Sequence, residues 1–199
     1  METSQYLDSL LLKYSNNYNI YKPYRIGAKE YPAYGYFFSH NEKYILVQEA
    51  NMWTMESFEH VIFMEEEEIT EEKVTQAEGL ITEYMEDKLV RRGEKYPPAN
   101  HMSSILTVIM ICNKAVAPDV QRRIRKFHFD KGYKFHMRGF SRGRMAAISM
   151  EDRHICFCSQ ARDLKEILKD TFQDVDEGKE GFSKICEKQG VAPFIQENI

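Results

Sequence analysis

The pattern of apolar and polar positions along the chain contains one nearly continuous apolar run, at residues 105–112. Five of its eight residues are β-branched, and such side chains favour strands over helices. Eight residues are too few to span a bilayer. Because the run does not alternate with polar positions, both of its faces are expected to be covered. The run therefore predicts the central strand of a sheet.

Apolar residues at helical spacing predict helices elsewhere in the chain. Near the N terminus they are Leu7, Leu10, Leu11 and Tyr14, which predict a helix over residues 4–13 capped by Thr3 or Ser4. A longer stripe predicts a second helix over residues 70–92, with Thr70 as its N-cap and Gly93 at its C-terminal end. Further helices are predicted over residues 118–126, 159–172 and 182–188.

Alternating patterns and turn residues predict the remaining elements. Three strands are predicted at residues 33–40, 43–48 and 59–64, with a bend at residues 53–55 before the third. Together they should form a meander. Residues 127–137 are expected to form a hairpin around residues 130–132, followed by a loop at 139–143. Strands are predicted at 145–150 and 154–158, and loops at 15–31 and 173–181. The order predicts one α+β domain over residues 1–199, with a mixed sheet centred on strand 105–112, helices packed on it, and a weakly structured tail from about residue 190.

Charge is distributed unevenly over the 199 residues, although the net charge is only −4. Residues 56–97 carry 13 acidic and 5 basic side chains, whereas residues 122–144 carry 9 basic side chains and one acidic side chain. Sequence alone leaves open whether the two blocks pair with each other or face different partners. With four cysteines, no leader-like N terminus and no apolar stretch of membrane length, a cytoplasmic protein without a membrane partner is expected.

The basic block at residues 122–144 is the best candidate for function. Cations neutralise phosphates and aromatic rings stack on bases, so this mixture predicts binding of nucleic acid or another phosphate-bearing ligand. The candidate ligand-binding residues are Arg122, Arg123, Arg125, Lys126, Lys134, Arg138, Arg142, Arg144 and Phe140. Two alternatives stay open: the cations are the solvent-facing side of a hairpin paired with the acidic block, or the surface docks a protein partner.

An enzymatic alternative comes from the order of the elements. Helix, three strands, helix, strand and helix resembles the restriction-endonuclease-like core. That resemblance implies a metal-binding acidic residue on the second strand and an acidic-x-Lys pair on the third. Glu49 ends the predicted second strand and Glu59 begins the third, but no lysine follows Glu59 at the required spacing, so nothing evident activates a water. A divergent or degenerate metal-dependent nuclease is thus the alternative to a non-catalytic binding or accessory module.

Three smaller groups of residues favour ordinary structural roles. The acidic run at residues 65–68 offers oxygen ligands for Mg²⁺ or Ca²⁺, but its spacing favours a solvated connection. His154, Cys156 and Cys158 share a strand face and could hold zinc, but buried thiols are the simpler interpretation. His101 with Ser103 or Ser104 lacks the features of a nucleophile site. No metal site and no cofactor is predicted.

Several short segments together resemble a family of uncharacterised bacterial proteins. They are Lys29-Glu30-Tyr31, Asn41-Glu42-Lys43-Tyr44, His101-Met102-Ser103-Ser104 and residues 126–139. The resemblance covers most of residues 1–170. It implies a cytoplasmic bacterial setting and implies no activity or ligand.

Overall fold

The structure is a computed structural model that describes residues 2–42, 54–190 and 192–193. The predicted strand at 43–48, Glu49 and most of the predicted tail lie outside these residues. No helix in the described part of the chain is long and apolar enough to cross a membrane.

The centre of the fold is a mixed seven-stranded sheet. Its strands are β1 Asn19–Tyr21, β4 Ala33–Glu42, β5 Thr54–Glu66, β6 His101–Cys112, β7 Phe129–Gly132, β8 Phe140–Ser149 and β9 Ile155–Phe157. Their order across the sheet is β1-β4-β5-β6-β8-β7, and β9 also pairs with β8. A separate two-stranded sheet contains β2 Tyr24–Ile26 and β3 Lys29–Tyr31.

The predicted central strand is confirmed. β6 lies between β5 and β8 and runs parallel to both. Every side chain from residue 106 to residue 112 has no exposed surface, as expected for a strand covered on both faces. The chain is a single α+β domain, as predicted.

Helices cover both faces of this sheet. They are α1 Thr3–Ser15, α2 Glu71–Gly79 with its π-helical continuation Leu80–Val90, α3 Pro118–Lys126, a 3-10 turn Ser159–Leu164 leading into α4 Lys165–Asp176, and α5 Phe182–Gln189. Thr70 caps α2 as predicted, accepting a hydrogen bond from the Lys73 backbone N–H at 3.4 Å. The cap predicted for α1 is wrong: Glu2 is the N-cap residue and makes no side-chain bond there.

Two aromatic contacts define the helical layers. Strand side chains alternate between faces, so Phe63 and His60 of β5 point to opposite sides of the sheet. Phe63 packs edge-on against Tyr14 of α1, with ring centroids 5.3 Å apart. On the other side His60 Nδ1 lies 2.7 Å from the Tyr34 hydroxyl. Tyr34 stacks on Tyr24, whose hydroxyl bonds Tyr84 of the π-helix.

Tertiary pairing overrides several of the predicted loops and turns. The predicted loop at 15–31 contains β1, β2 and β3, because β1 gains a partner in β4. The predicted bend at 53–55 is wrong at Thr54, which begins β5. Helix α4 extends to Asp176, into the predicted loop at 173–181.

The predicted hairpin at 127–137 is also wrong. β7 pairs antiparallel with the first residues of β8, so Phe129 lies opposite Gly143 and Gly132 lies opposite Phe140. Residues 140–143 are therefore strand, and the predicted loop at 139–143 is wrong beyond Gly139. The segment between the strands, residues 133–139, folds as a compact turn, which we call the 133–139 turn.

Candidate functional site: a cationic pocket at the amino edge of the sheet

Two connections meet where the parallel strands β6 and β8 begin. Residues 91–98 lead into β6, and the 133–139 turn leads into β8. Because β6 and β8 are adjacent and parallel, their preceding connections lie at the same edge of the sheet. There they form a pocket of about 340 Å³, which we call the amino-edge pocket. Its lining residues are Arg91, Arg92, Glu94, Lys95, Tyr96, Pro97, Pro98 and Arg138.

Lys134 and Arg138, two of the predicted ligand-binding residues, belong to this site. Lys134 Nζ lies 5.3 Å from the centre of the Tyr96 ring, and Lys95 Nζ lies 5.4 Å from the same ring. Arg138 Nη1 donates a hydrogen bond to the Pro97 carbonyl at 2.9 Å. The pocket thus has an aromatic and proline surface, with several cations and one acidic residue, Glu94, around it.

A buried carboxylate ties the two connections together. The Glu86 side chain is 2% exposed and accepts hydrogen bonds from Arg91 Nε at 2.7 Å and from the Tyr133 hydroxyl at 2.9 Å. Lys131 Nζ lies 2.9 Å from the same carboxylate. Burial raises the pKa of Glu86, but these three donors outweigh it and hold the pKa below its ordinary value. The charged carboxylate therefore fixes Arg91 at one side of the site and Tyr133 at the other.

His101 fixes the far end of the 133–139 turn. Its Nδ1 lies 2.9 Å from the Arg138 carbonyl, which can only accept, so Nδ1 carries the proton. Nε2 then accepts from the Ser104 hydroxyl at 2.8 Å. Burial lowers the pKa of His101, which keeps the ring neutral and both bonds intact. The pair of Ser104 and His101 considered in the sequence analysis thus forms a hydrogen bond, but Ser104 has no exposed surface. The pair therefore anchors the end of the 133–139 turn.

Three other arginines of the basic block lie in ion pairs. Arg123 on α3 contacts Glu71 at 2.6 Å and Glu78 at 2.7 Å, both on α2. Arg142 lies 3.1 Å from Asp130, and Arg144 lies 3.2 Å from Glu59. The acidic and basic blocks therefore pair in part within one molecule, an alternative that the sequence left open.

The remaining predicted ligand-binding residues are placed apart from the pocket lining. Arg122, Arg125 and Lys126 are exposed on α3, which contacts α2, β8 and β9. Phe140 is half-buried at the start of β8, where the Arg142 guanidinium lies 5.3 Å from its ring centre. Their ligand-binding role stays a prediction.

The nuclease alternative depends on Glu59, which lies in a different environment from the pocket. Its side chain is 16% exposed and faces Arg144. Burial raises the pKa of Glu59 even though Arg144 opposes this effect. Its proposed partner Glu49 lies outside the described residues. Within residues 2–42 and 54–190, no group of three or more His, Cys, Asp and Glu side chains is arranged to hold a metal ion.

The other two suggested metal sites have structural contacts. Glu66 pairs with Lys73 at 2.7 Å, and Glu67 accepts from the Asn113 amide at 2.6 Å. Cys156 Sγ lies 3.4 Å from the Gln121 carbonyl, while Cys158 Sγ accepts from the Met145 backbone N–H. Cys156 and Cys158 are buried, as the simpler interpretation predicted. The acidic run is only partly a connection, because Glu65 and Glu66 are the last residues of β5.

Sequence reasoning missed the residues of the 91–98 connection. In the sequence, a basic residue such as Arg91 favours the C-terminal end of a helix, and Pro97 prevents the helix from continuing. Neither role conflicts with the structure, but the pocket appears only when two connections separated by about 40 residues come together. The signal needed was the parallel pairing of β6 with β8, which no local pattern specifies.

Comparison with known proteins places this site in an uncharacterised family. No curated protein and no solved structure matches the chain. A family model described as a domain of unknown function (DUF8052) matches residues 2–170. This match spans both connections of the amino-edge pocket and the whole sheet. The chain therefore belongs to the DUF8052 family, whose function is unknown.

Proposed function

We propose that this protein is a non-catalytic binding module that holds a phosphate-bearing ligand at the amino-edge pocket. The observation that carries the proposal is that several cations of the pocket lack an acidic partner. Within the described residues, Arg92, Lys95, Lys134 and Arg138 have no carboxylate within salt-bridge distance, whereas Arg123, Arg142 and Arg144 each have one. Cations without an internal counter-charge are available to an external anion.

The volume of the site limits how much of a ligand the pocket can enclose. Its volume of about 340 Å³ lies at the lower end of the range for small-molecule sites, roughly 300–1,000 Å³. Cations around an aromatic surface provide both charge and an apolar contact area. A phosphate with an attached planar or apolar group fits this combination.

The polar groups beneath the pocket support binding without catalysis. Glu86 is occupied by Arg91, Lys131 and Tyr133, and the His101 ring nitrogens are occupied by Ser104 and a backbone carbonyl. These groups hold the two connections in place. Both His101 ring nitrogens are engaged, so this ring lacks the free hydrogen-bonding position that a general acid or base uses. The lowered pKa of Glu86 disfavours the protonated form that a general acid requires.

A fluorescence-anisotropy titration tests the proposal. The probe is a labelled single-stranded oligonucleotide of about 12 nucleotides. If about three pocket cations contact phosphates, affinity should fall about 20-fold between about 50 and 200 mM salt. Replacing Lys95 and Lys134 together by Glu should weaken binding at least about tenfold and reduce this salt dependence.

The matched control places the same charge change on α4. Replacing Lys165 and Lys169 together by Glu alters two exposed cations that lie apart from the pocket lining, and it should change affinity much less. Equal losses in both double variants would mean that net charge alone drives binding. No binding to the wild-type protein at low salt would contradict the proposal outright.

We also propose the cytoplasm as the site of action. The four cysteines are free thiols, and Cys112, Cys156 and Cys158 are buried. Burial raises the pKa of Cys112 to about 11, which keeps this thiol protonated and unreactive. Thiols without disulfide bonds are typical of a reducing compartment.

A further inference from the structure

The 133–139 turn exposes two large apolar side chains beside the amino-edge pocket. Phe135 is 97% exposed and Met137 is 76% exposed. The other exposed large apolar side chains in the described residues are Phe38 and Met102, at 45% and 42%. An aromatic ring held almost entirely in water is unfavourable for the isolated protein, so its position indicates a contact with something outside the chain.

The turn holds this ring outward by a fixed backbone conformation. Lys134, Phe135 and His136 all have positive φ, at 47°, 52° and 65°, a conformation that non-glycine residues rarely adopt. Backbone hydrogen bonds close the turn, from Tyr133 N to Gly139 O at 3.0 Å and from Arg138 N to Tyr133 O at 3.1 Å. Strained backbone of this kind is retained where surrounding contacts enforce it, and such positions cluster at functional sites.

The surrounding contacts are those that build the pocket. Tyr133 at the start of the turn is bound to Glu86 and Ser141, and Arg138 at its end is bound to His101 and Pro97. The backbone that carries Phe135 is therefore held in place between Lys134 and Arg138. A ligand that meets this ring without reordering the turn avoids an entropic cost of binding.

Further aromatic rings continue from the pocket across the amino edge. The Phe58 ring stacks on His101, with centroids 6.1 Å apart and planes inclined by 8°. Tyr36 stacks on Phe58 at 6.4 Å. Both Phe58 and Tyr36 are half-buried, so part of each ring faces solvent. Rings and cations thus follow one another along the edge of the sheet.

This arrangement favours a single-stranded nucleic acid over the other phosphate-bearing ligands. A single strand offers phosphates at regular intervals and bases whose faces are free to stack on aromatic rings. In a duplex those faces are already stacked on each other. A lipid surface is broad, whereas the cations here surround a concave pocket.

We infer that the ligand is a single-stranded nucleic acid, with a base stacked on Phe135 and the adjoining phosphates held by Lys95, Lys134 and Arg138. The inference rests on the proposed function, since it names the ligand class of the same pocket. It assigns the exposed Phe135 ring of the 133–139 turn a contact with a stacked base. Met137, which is also exposed, has no ring to stack and takes no part in it.

The test compares two probes of equal charge on the full-length protein. One is a labelled single-stranded oligonucleotide, and the other is an abasic sugar-phosphate strand of the same length. The wild-type protein should bind the oligonucleotide more tightly. Phe135→Ala should weaken oligonucleotide binding by a factor in the range of about 5 to 150, the usual effect of losing one stacked base. The salt dependence should stay unchanged, because no charge is removed.

Two control variants separate stacking from apolar contact in general. Phe135→Trp should retain oligonucleotide binding, because indole also stacks. Met137→Ala should leave it unchanged. Both positions are exposed, so none of these substitutions removes a buried contact.

Each other outcome overturns the inference in a recognisable way. If both probes bind equally and Phe135→Ala has no effect, the pocket binds phosphate but no base, and only the proposed function stands. If vesicles of phosphatidylglycerol and phosphatidylcholine bind, with losses for both Phe135→Ala and Met137→Ala, the turn contacts a lipid surface instead. If neither strand and no vesicle binds at low salt, the proposed function fails as well.

Discussion

Glu86 is the side chain that connects the most parts of the site. Arg91 from the end of the π-helix, Lys131 from β7 and Tyr133 from the 133–139 turn all reach its carboxylate. The side chain is 2% exposed, so an isolated charge there would be costly. Its three donors make the charged state favourable and join the two connections of the pocket.

Replacing Glu86 by Gln should therefore destabilise the protein. The amide keeps the size of the side chain but leaves Arg91 and Lys131 without their shared counter-charge. Breaking a fully buried ion pair costs roughly 3–5 kcal/mol, and because both partners retain contact with solvent we expect about 2 kcal/mol. Urea denaturation measures the free energy of unfolding directly.

Asp87→Asn is the matched control for this substitution. Asp87 lies 2.7 Å from the same Arg91, but its side chain is 27% exposed. Surface ion pairs contribute little to stability, so this variant should lose much less than Glu86→Gln. Similar losses in the two variants would show that the enclosure of Glu86 has no special effect.

At the scale of single residues, the sequence named two of the pocket cations, Lys134 and Arg138, but could not distinguish them from arginines that lie in ion pairs. Lys134 and Arg138 were predicted on the same ground as Arg123 and Arg144, namely their density along the chain. The structure separates them by their partners: Arg123 is paired with Glu78, 45 residues earlier, and Arg144 with Glu59. Charge density in a sequence carries no information about partners so distant.

At the scale of elements, sequence patterns predict a helix or strand correctly where interactions between residues close in sequence determine its conformation. The predicted helix at 118–126 is observed with the same ends, because Pro118 favours the first turn and an amphipathic stripe follows it. The hairpin predicted at 127–137 failed for the opposite reason. Its alternating residues suit a strand, but contacts with Glu86 and His101 hold residues 134–136 at positive φ.

Gly139 is the residue of this turn that should tolerate substitution least. Its φ is +75°, and a Cβ atom placed there would lie 2.1 Å from the Met102 carbonyl oxygen. Gly139→Ala therefore combines an unfavourable backbone conformation, about 1–2 kcal/mol, with a clash against the backbone of β6. We expect a loss of about 3 kcal/mol or more in the free energy of unfolding, together with weaker oligonucleotide binding.

Gly178→Ala isolates the conformational part of that cost. Gly178 also has positive φ, at +66°, but no atom lies within 4 Å of the added Cβ. The expected loss is about 1 kcal/mol, with no change in ligand binding. If Gly139→Ala were no worse than Gly178→Ala, the close approach of the turn to β6 would be unimportant for stability.

At the scale of the whole molecule, the two charge blocks meet in part through the helices that lie between the parallel strands. α2 and the π-helix join β5 to β6, and α3 precedes β7 and β8. α2 and α3 contact each other, which brings Arg123 to Glu71 and Glu78. The sequence predicted the helices, the central strand and the α+β class, because each follows from a local pattern of apolar and polar residues. It could not predict which helices are neighbours.

The stability of the whole protein should fall on acidification below about pH 6.5. Burial, reinforced by nearby His101, lowers the pKa of His60 from 6.5 to about 3. The unfolded chain binds a proton at this site below about pH 6.5, whereas the folded protein resists it down to about pH 3. This contribution is thus fully present above pH 6.5 and is lost as the pH falls, by about 1.4 kcal/mol per pH unit.

Urea denaturation at pH 7 and pH 5 measures this effect. His60 should account for a decrease of about 2 kcal/mol between the two conditions. The lowered pKa of His101 acts in the same direction, whereas the raised pKa of Glu59 acts in the opposite direction. Replacing His60 by Asn should remove most of the decrease in the free energy of unfolding that is due to His60. An unchanged pH dependence in His60→Asn would contradict the assignment.

The anchoring of the 133–139 turn has a consequence for the order of folding. The parallel partners Glu56 and His101 are 45 residues apart, and Ser103 and Phe140 are 37 apart, so long loops must close before the central sheet gains its contacts. The turn reaches its native conformation only after His101 and Glu86 are in place. The surface that presents Phe135 should therefore be completed late in folding, and its ligand should distinguish fully folded molecules from partly folded ones.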